Sequence, residues 1–488
     1  MIFTMPATVK EILAAEAKGQ EVELHAWVRS CRDSKNISFL NLNDGSCVSG
    51  IQVVVDEECR KASPAFAQTD QINGINQISN GASLRVKGRL VASQGNLQAV
   101  EIQASGIELL GAAPQDTYPL QKKRHSFEFL REISHLRGRS NSIGAVMRLR
   151  NRLSMLVHEF FQQHGFYYIH TPIITVSDAE GAGEMFRVES SGCLDEGRGG
   201  ESLGEKSAEE KSTGKKRKYF FGQEAFLTVS GQMEGEVYAH SHGRVYTFGP
   251  TFRAEESNTS RHLAEFWMIE PEVAFLELDG LMDLAEALVR HLIGGTLRHC
   301  AEELELLNKW IEPELLRSLQ SVTESEHFVR ISYTEAIALL EGAVQGGKKF
   351  DYRVAWEDGL QTEHERWLTE EHFRQPVIVY NYPAEGKAFY MKQNEDGKTV
   401  RGMDVLVPRL GEIIGGSQRE DDYEKLKARM LADGMDPEHY QWYLDLRRFG
   451  GTPHSGFGLG FERIVQYVTG MKNIRDVIPF PRAVGQAS

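Results

Sequence analysis

Phe248-Gly249-Pro250-Thr251-Phe252-Arg253-Ala254-Glu255-Glu256, a polar loop, and then Arg261-His262-Leu263-Ala264-Glu265-Phe266-Trp267-Met268-Ile269-Glu270-Pro271-Glu272 read as two strands joined into a hairpin. Side chains two apart in a strand share a face. Arg253 and Glu255 therefore point one way, as do Phe266, Met268, Glu270 and Glu272. A lone arginine on a strand is an ordinary surface residue. Two arginines, an aromatic ring and several carboxylates around one hairpin make a different pattern. It suits a nucleotide, with cations for phosphates, a carboxylate for an exocyclic amine and a ring to stack on a base.

Two later stretches carry matching chemistry. Gly456-Phe457-Gly458-Leu459-Gly460-Phe461-Glu462-Arg463-Ile464-Val465 begins with glycines, which let a backbone pack closely or approach a ligand. Helical periodicity follows through Ile464, Val465 and Val468 to Gly470, which puts Arg463 in the first turn of a helix. The helix dipole disfavours a cation there, and an anionic partner relieves that conflict. No Gly-Lys-Ser/Thr follows, so the string is not a P-loop. Asp404 and Glu412 bracket an expected turn ahead of Ile413-Ile414-Gly415-Gly416-Ser417-Gln418-Arg419. Two such carboxylates suit Mg²⁺, which binds through one or two carboxylates plus substrate phosphates. An isolated pair of this kind is ordinarily just solvated, and only its place beside the other two stretches lifts it.

Outward from these stretches the chain changes character by region. Residues 1–112 hold strand-like runs at Val22–Val28, Phe39–Leu42, Ile51–Val55, Ser83–Val91 and Leu97–Ile102, with a helix near Thr8 to Lys18. Five short strands in that length predict a small closed barrel of the OB type. Residues 113–140 form a polar hinge with the cluster Lys122-Lys123-Arg124-His125, either a phosphate contact or a solvated linker. From 141 the periodicity turns helical. Ile143, Val146, Met147, Leu153, Leu156, Val157, Phe160 and Phe161 share one face, with Asn141 or Ser142 as cap and Gly165 as stop. Strands and helices then alternate to 488, which predicts a large α+β domain. Residues 189–218, rich in Gly, Ser, Glu and Lys, interrupt it as an expected flexible surface insert ending in Lys215-Lys216-Arg217-Lys218.

Bulk properties exclude some classes. No run of 18 apolar residues predicts a membrane span, and the start lacks a secretory pattern. The five cysteines show no CxxC pair, which fits reduced thiols in a cytoplasmic protein and gives a cysteine zinc site little support. The net charge of −14 argues against general adhesion to nucleic acid, though it leaves room for a local basic face.

In this order the three stretches resemble the class II aminoacyl-tRNA synthetases. Phe166-Tyr167-Tyr168-Ile169-His170-Thr171-Pro172 is similar to their motif 1, which builds a dimer interface. The hairpin around Arg253 is similar to motif 2, and Gly456 to Arg463 to motif 3. The barrel points to the subgroup that loads aspartate, asparagine or lysine. The asparaginyl branch fits best, on Ser177-Asp178-Ala179-Glu180-Gly181-Ala182-Gly183-Glu184, on Phe226 to Gln232 and on Gly411 to Glu420. Aspartyl relatives carry a lysine three residues after the glutamine that matches Gln232, and here that position is Gly235.

The resemblance implies an α+β catalytic domain on an antiparallel sheet, with L-asparagine, ATP and tRNA(Asn) as substrates and Mg²⁺ as cofactor. It implies that Arg253 grips the α-phosphate and the substrate carboxylate, that Glu255 reads the adenine amine, and that Phe266 stacks on the ring. Arg261 and Arg463 hold the γ-phosphate end with His262 nearby, and Asp404 and Glu412 bind Mg²⁺. Glu180, Ser230 and Gln232 receive the amino-acid backbone, and Arg419 lies at its side-chain end. Arg32, Phe39 and Gln52 match anticodon-reading positions, although Phe39 taken alone reads as barrel core. A homodimer is implied by motif 1. The nearest alternative is an aspartyl-tRNA synthetase of relaxed specificity. Others are a tRNA-independent amino-acid ligase of related fold, or an RNA-binding protein with a decayed site.

Overall fold

The computed structural model describes residues 5–34, 37–63, 78–96, 98–177, 185–190, 219–257 and 259–486. Two compact units emerge, Met1–Asn151 with Cys300–Pro313, and Arg152–His299 with Glu314–Ser488.

In the first unit, β1 (Glu21–Asp33), β2 (Ile37–Asn43), β3 (Ile51–Asp56), β4 (Ser83–Ala92) and β5 (Val100–Gly111) close into a barrel in the order β1-β2-β3-β5-β4. Strict alternation drives this closure. Leu24, Ala26, Leu40, Leu42, Ile51, Val53, Val55, Leu84, Val86 and Ile102 all face inward and are buried. Gly88 sits at a register shift between β4 and β5, where a Cβ would lie 2.3 Å from the Gln103 carbonyl oxygen. A helix, Val9–Ala14, adds Val9 and Ile12 to the barrel core, each worth about 1.5–3 kcal/mol of burial. Thr8 and Glu11 form a capping box at its start. The helix stops at Ala14, short of the expected Lys18.

The helix Asn141–Gln163 follows its predicted face, with Ile143, Val146, Leu153, Leu156, Val157, Phe160 and Phe161 buried, while Met147 is only partly buried. Its cap is neither Asn141 nor Ser142. The Ser140 hydroxyl accepts from Ile143 N at 3.4 Å, and Gly165 turns the chain at φ 72°.

The second unit is built on an eight-stranded sheet. Its strands are β6 (Tyr167–Tyr168), β10 (Arg244–Phe252), β11 (Glu265–Ala274), β12 (Val329–Ser332), β13 (Val377–Pro383), β14 (Thr399–Val407), β15 (Gly411–Gln418) and β16 (His454–Gly460). They run in the order β12-β13-β14-β15-β16-β11-β10-β6. The six central strands, β13 to β10 in that order, pair antiparallel, and β6 and β12 join parallel at the edges. A small second sheet holds β7 (Ile174–Thr175), β8 (Arg187–Val188) and β9 (Ala225–Leu227). The α+β class and the antiparallel-rich sheet are as expected. Helices Leu278–His299 and Phe461–Thr469 bury their apolar sides, the second through Phe461, Ile464, Val465 and Val468.

Candidate functional site

Strand pairing decides which side chains meet. In β11, Phe266, Met268, Glu270 and Glu272 line one cavity of about 310 Å³. Its neighbour β16 pairs Gly456 with Glu272 and Gly460 with Met268. A Cβ on Gly456 would sit 2.1 Å from Glu272 Oε1, and one on Gly458 would lie 2.6 Å from Met268 Cε. The glycine string is therefore a strand whose missing side chains hollow the cavity floor. The same cavity is lined by Ser230, Gln232, Arg253, Glu255, Arg261, His262, Asp404, Glu412, Arg419 and Arg463. Every sequence-predicted residue of the catalytic, nucleotide, amino-acid and metal sets converges there except Glu180, which lies outside the described residues, as does 191–218 of the insert.

At one end the groups are cationic. Arg253 follows β10, its N–H donates to Ala264 O at 3.0 Å, and its guanidinium lies 5.4 Å from the Phe266 ring centroid. His262 lies 3.6 Å from Glu255, and its Nδ1 is within hydrogen-bond distance of the Thr259 and Ser257 hydroxyls, at 2.5 and 3.0 Å. Arg261 donates to the Thr362 hydroxyl at 2.8 Å. Burial, and the like charge of Arg463, press the Arg261 guanidinium below its ordinary value. Two neighbouring cations, Arg463 in the first turn of a helix and Arg261 in a turn beside it, call for an anion. Arg463 meanwhile donates to the Glu412 carbonyl at 3.1 Å.

The carboxylates sit beside these cations. A Cβ on Gly415 would meet Glu412 Oε1 at 3.4 Å and Asp404 Oδ1 at 3.5 Å, so both oxygens converge over a bare backbone. Burial and the charge of Glu412 push the Asp404 carboxyl up to about 6. A third acid, Glu365, accepts from Glu412 N at 3.1 Å, and burial followed by Glu412 pushes it up to about 7. Sequence reading missed Glu365, because Glu363-His364-Glu365-Arg366 looks like a solvated charge run. Its spacing of three from Thr362 on the helix Thr362–Arg366 was the available signal. Among the described residues no group of three or more His, Cys, Asp or Glu is arranged to hold a metal ion by itself. Asp404 and Glu412 do fit Mg²⁺, which takes one or two carboxylates and completes its shell with water and phosphate.

The opposite end is a deeply buried polar network. Glu270 accepts from the Ser230 hydroxyl, from Gly231 N at 2.9 Å and from the Thr247 hydroxyl at 2.9 Å. Arg419 grips Glu272 with two nitrogens, Nε to Oε2 at 3.2 Å and Nη2 to Oε1 at 2.5 Å, and lies 5.0 Å from the Tyr390 ring centroid. Burial and the charge of Glu236 press the Glu272 carboxyl upward, and Arg419 presses it back. The two-pronged pairing requires the carboxylate form, since each oxygen accepts. Behind them Glu236 is fully buried and accepts from Gln232, Tyr443, Arg447 and His454. Against burial, Arg447 and His454 hold its carboxyl well below the usual range. Glu236 drew no notice in the sequence, and Glu272 appeared only as part of the hairpin. A Cβ on Gly235 would lie 3.4 Å from Glu272 Cγ, so the position that carries lysine in aspartyl relatives faces Glu272 here.

On the barrel, Arg32 and Phe39 are register partners across β1 and β2, and Gln52 pairs with Asn41, which shares the Phe39 face. Phe39 is 38% exposed, so it is not barrel core. Gln52 donates to Glu101 at 2.9 Å.

Comparison with known proteins agrees with this geometry. Residues 126–484 match the family tRNA synthetases class II (D, K and N), and residues 22–110 match the OB-fold nucleic acid binding domain. The chain is 53% identical over 470 residues to the asparagine–tRNA ligase of Syntrophobacter fumaroxidans, with 96% of each chain covered. It is 51% identical over 481 residues to that of Parabacteroides distasonis, with 98% of each covered. Among solved structures it resembles asparaginyl-tRNA synthetase from Pyrococcus horikoshii complexed with asparaginyl-adenylate, at a TM-score of 0.82 and 32% identity, covering 100% of this chain and 99% of that one.

Proposed function

Because the chain belongs to the class II tRNA synthetases of the D, K and N group, and within it to the asparagine–tRNA ligases, we propose that its cavity makes asparaginyl-adenylate from L-asparagine and ATP and passes the asparagine to tRNA(Asn). The observation that carries the residue roles is convergence. Arg253, Arg463, Asp404 and Glu412, up to 210 positions apart (463 − 253), line one cavity with Arg419 and Glu272.

In this reading the adenine stacks on Phe266 and presents its amine to Glu255. Arg261, Arg463 and His262 hold the γ-phosphate end, which relieves the mutual repulsion of the two guanidiniums. Arg253 lies where the α-phosphate meets the incoming carboxylate, and stabilises the negative charge that grows as the carboxylate oxygen bonds to phosphorus and pyrophosphate departs. Asp404 and Glu412 would hold Mg²⁺, which supplies Lewis-acid charge neutralisation on the phosphates. Ser230 and Gln232, backed by Glu270 and Glu236, seat the amino-acid backbone. Holding both reactants in line supplies much of the remaining acceleration. The terminal ribose hydroxyl of tRNA then attacks the adenylate carbonyl and AMP leaves.

The side chain of asparagine meets matched partners. Arg419 donates to its amide oxygen and Glu272 accepts from its amide nitrogen. Aspartate would set a second carboxylate against Glu272, with no lysine at Gly235 to offset it, so a site paired for an amide rejects it.

Arg32, Phe39 and Gln52 form an outer barrel surface suited to stacking and hydrogen bonding with anticodon bases. Exposed Tyr167, Ile173 and Ile174, at 56, 44 and 41%, support a homodimer through the motif 1 region. Cys31, Cys47, Cys59 and Cys300 are free, and no described helix is long and apolar enough to cross a membrane, which supports work in the cytoplasm. Incubating the chain with ATP, tRNA and labelled asparagine should give acid-precipitable label. Labelled tRNA from aspartate alone would overturn the reading.

A further inference from the structure

Arg419 stands between two acids. Glu272 takes its two-pronged grip, and Glu236 Oε1 lies 3.8 Å from Arg419 Nε. Glu236 is not a lining residue, yet it is completely buried and collects Arg447 at 3.0 Å, His454 at 2.9 Å, Tyr443 at 2.8 Å and Gln232 at 3.1 Å. One carboxylate thus fixes a residue proposed for the amino-acid backbone, Gln232, and faces the one proposed for the side chain, Arg419. A buried charge of this kind acts over several ångströms because no water screens it.

We propose that Glu236 is a positioning residue for specificity: its negative charge offsets Arg419 from behind, so that Arg419 offers the substrate a hydrogen-bond donor without a spare positive charge. A neutral amide satisfies that donor and Glu272 together. A side-chain carboxylate finds Glu272 in front, Glu236 behind, and no uncommitted cation. The proposal rests on the reading of Arg419 and Glu272 given above.

The test uses the full chain and compares pyrophosphate exchange with asparagine and with aspartate. Glu236→Gln keeps the shape and one of the two acceptor oxygens but removes the charge. It is expected to raise the ratio of kcat/KM for aspartate over asparagine by about tenfold or more, through the KM for aspartate. Glu236→Asp retains the charge, and should keep the ratio near the parent value while raising the KM for asparagine. Tyr443→Phe removes one donor and no charge, so it should leave the ratio alone. An unchanged ratio in folded Glu236→Gln, or an equal rise in Tyr443→Phe, overturns the proposal. If Glu236→Gln does not fold, Arg447→Gln decides instead. Losing that cation should weaken aspartate as a competitive inhibitor against asparagine, and an unchanged or stronger inhibition overturns the proposal. Asparagine-stimulated exchange that survives in Arg419→Ala would instead sink the underlying reading of the pocket.

Discussion

Arg419 and Glu272 face each other across 147 residues of chain and join by two hydrogen bonds, both side chains almost wholly removed from solvent. A cation and an anion buried this way are stabilising only together, and removing one leaves the other stranded. The pair lines the same cavity as Arg253, Arg261 and Arg463.

Glu272→Gln should therefore damage asparagine activation and also lower Tm. One of the two acceptor oxygens becomes an NH2 donor and Arg419 loses its anion. We expect kcat/KM for asparagine in pyrophosphate exchange to fall by about a hundredfold or more, with the KM for ATP nearly unchanged. A parallel rise in both KM values would point to general disruption instead.

Gly456→Ala tests the same pocket from the backbone. The added Cβ would fall 2.1–2.2 Å from the Glu272 carboxyl atoms, which Arg419 prevents from swinging away. Asparagine-dependent exchange should drop sharply while tRNA binding persists. Wild-type kinetics in this variant would mean that Glu272 is free to move.

Arg253→Ala addresses the chemical step. Loss of the guanidinium beside Phe266 should cut adenylate formation by roughly a thousandfold, with anticodon affinity intact. Single-turnover adenylation and a filter-binding assay read the two effects separately.

Phe39→Ala should do the reverse. An exposed ring opposite Arg32 contributes about 1–3 kcal/mol per stacked base, so tRNA binding weakens while pyrophosphate exchange holds. Unaltered tRNA affinity would remove Phe39 from the anticodon surface.

Acid stability gives an independent check on the first unit. Glu302 accepts from Ser49 N at 2.8 Å and from its hydroxyl at 2.7 Å, and these bonds, against burial, hold its carboxyl below the ordinary glutamate value. A depressed carboxyl stabilises fully above its unfolded value and loses that contribution as pH falls through the folded value. Glu302→Gln should lower Tm at pH 7 and converge on the parent as pH falls through the folded value. A gap that widens in acid would contradict the sign.

Local periodicity made much of this molecule legible. The barrel strands alternate, and the helix from Asn141 repeats at three and four. Arg253, Arg463, Asp404 and Glu412 could be named because each sits in a short stretch whose chemistry shows at close range. The pairs that shape the pocket were hidden for a physical reason. Glu236 meets His454 across 218 residues, and no local pattern encodes which charged side chains the sheet will bury together. Strands β6 to β9, of two or three residues, are too short to show a period. Phe39 taken alone reads as core, since an aromatic in a strand favours packing until the register shows it exposed.

The central claim is that one cavity activates asparagine by pairing Arg419 and Glu272 with its amide. Pyrophosphate exchange with all twenty amino acids, each at equal concentration with ATP and Mg²⁺, tests it most directly. We expect stimulation by asparagine and background rates with aspartate. Exchange driven by aspartate, or by no amino acid, would contradict it.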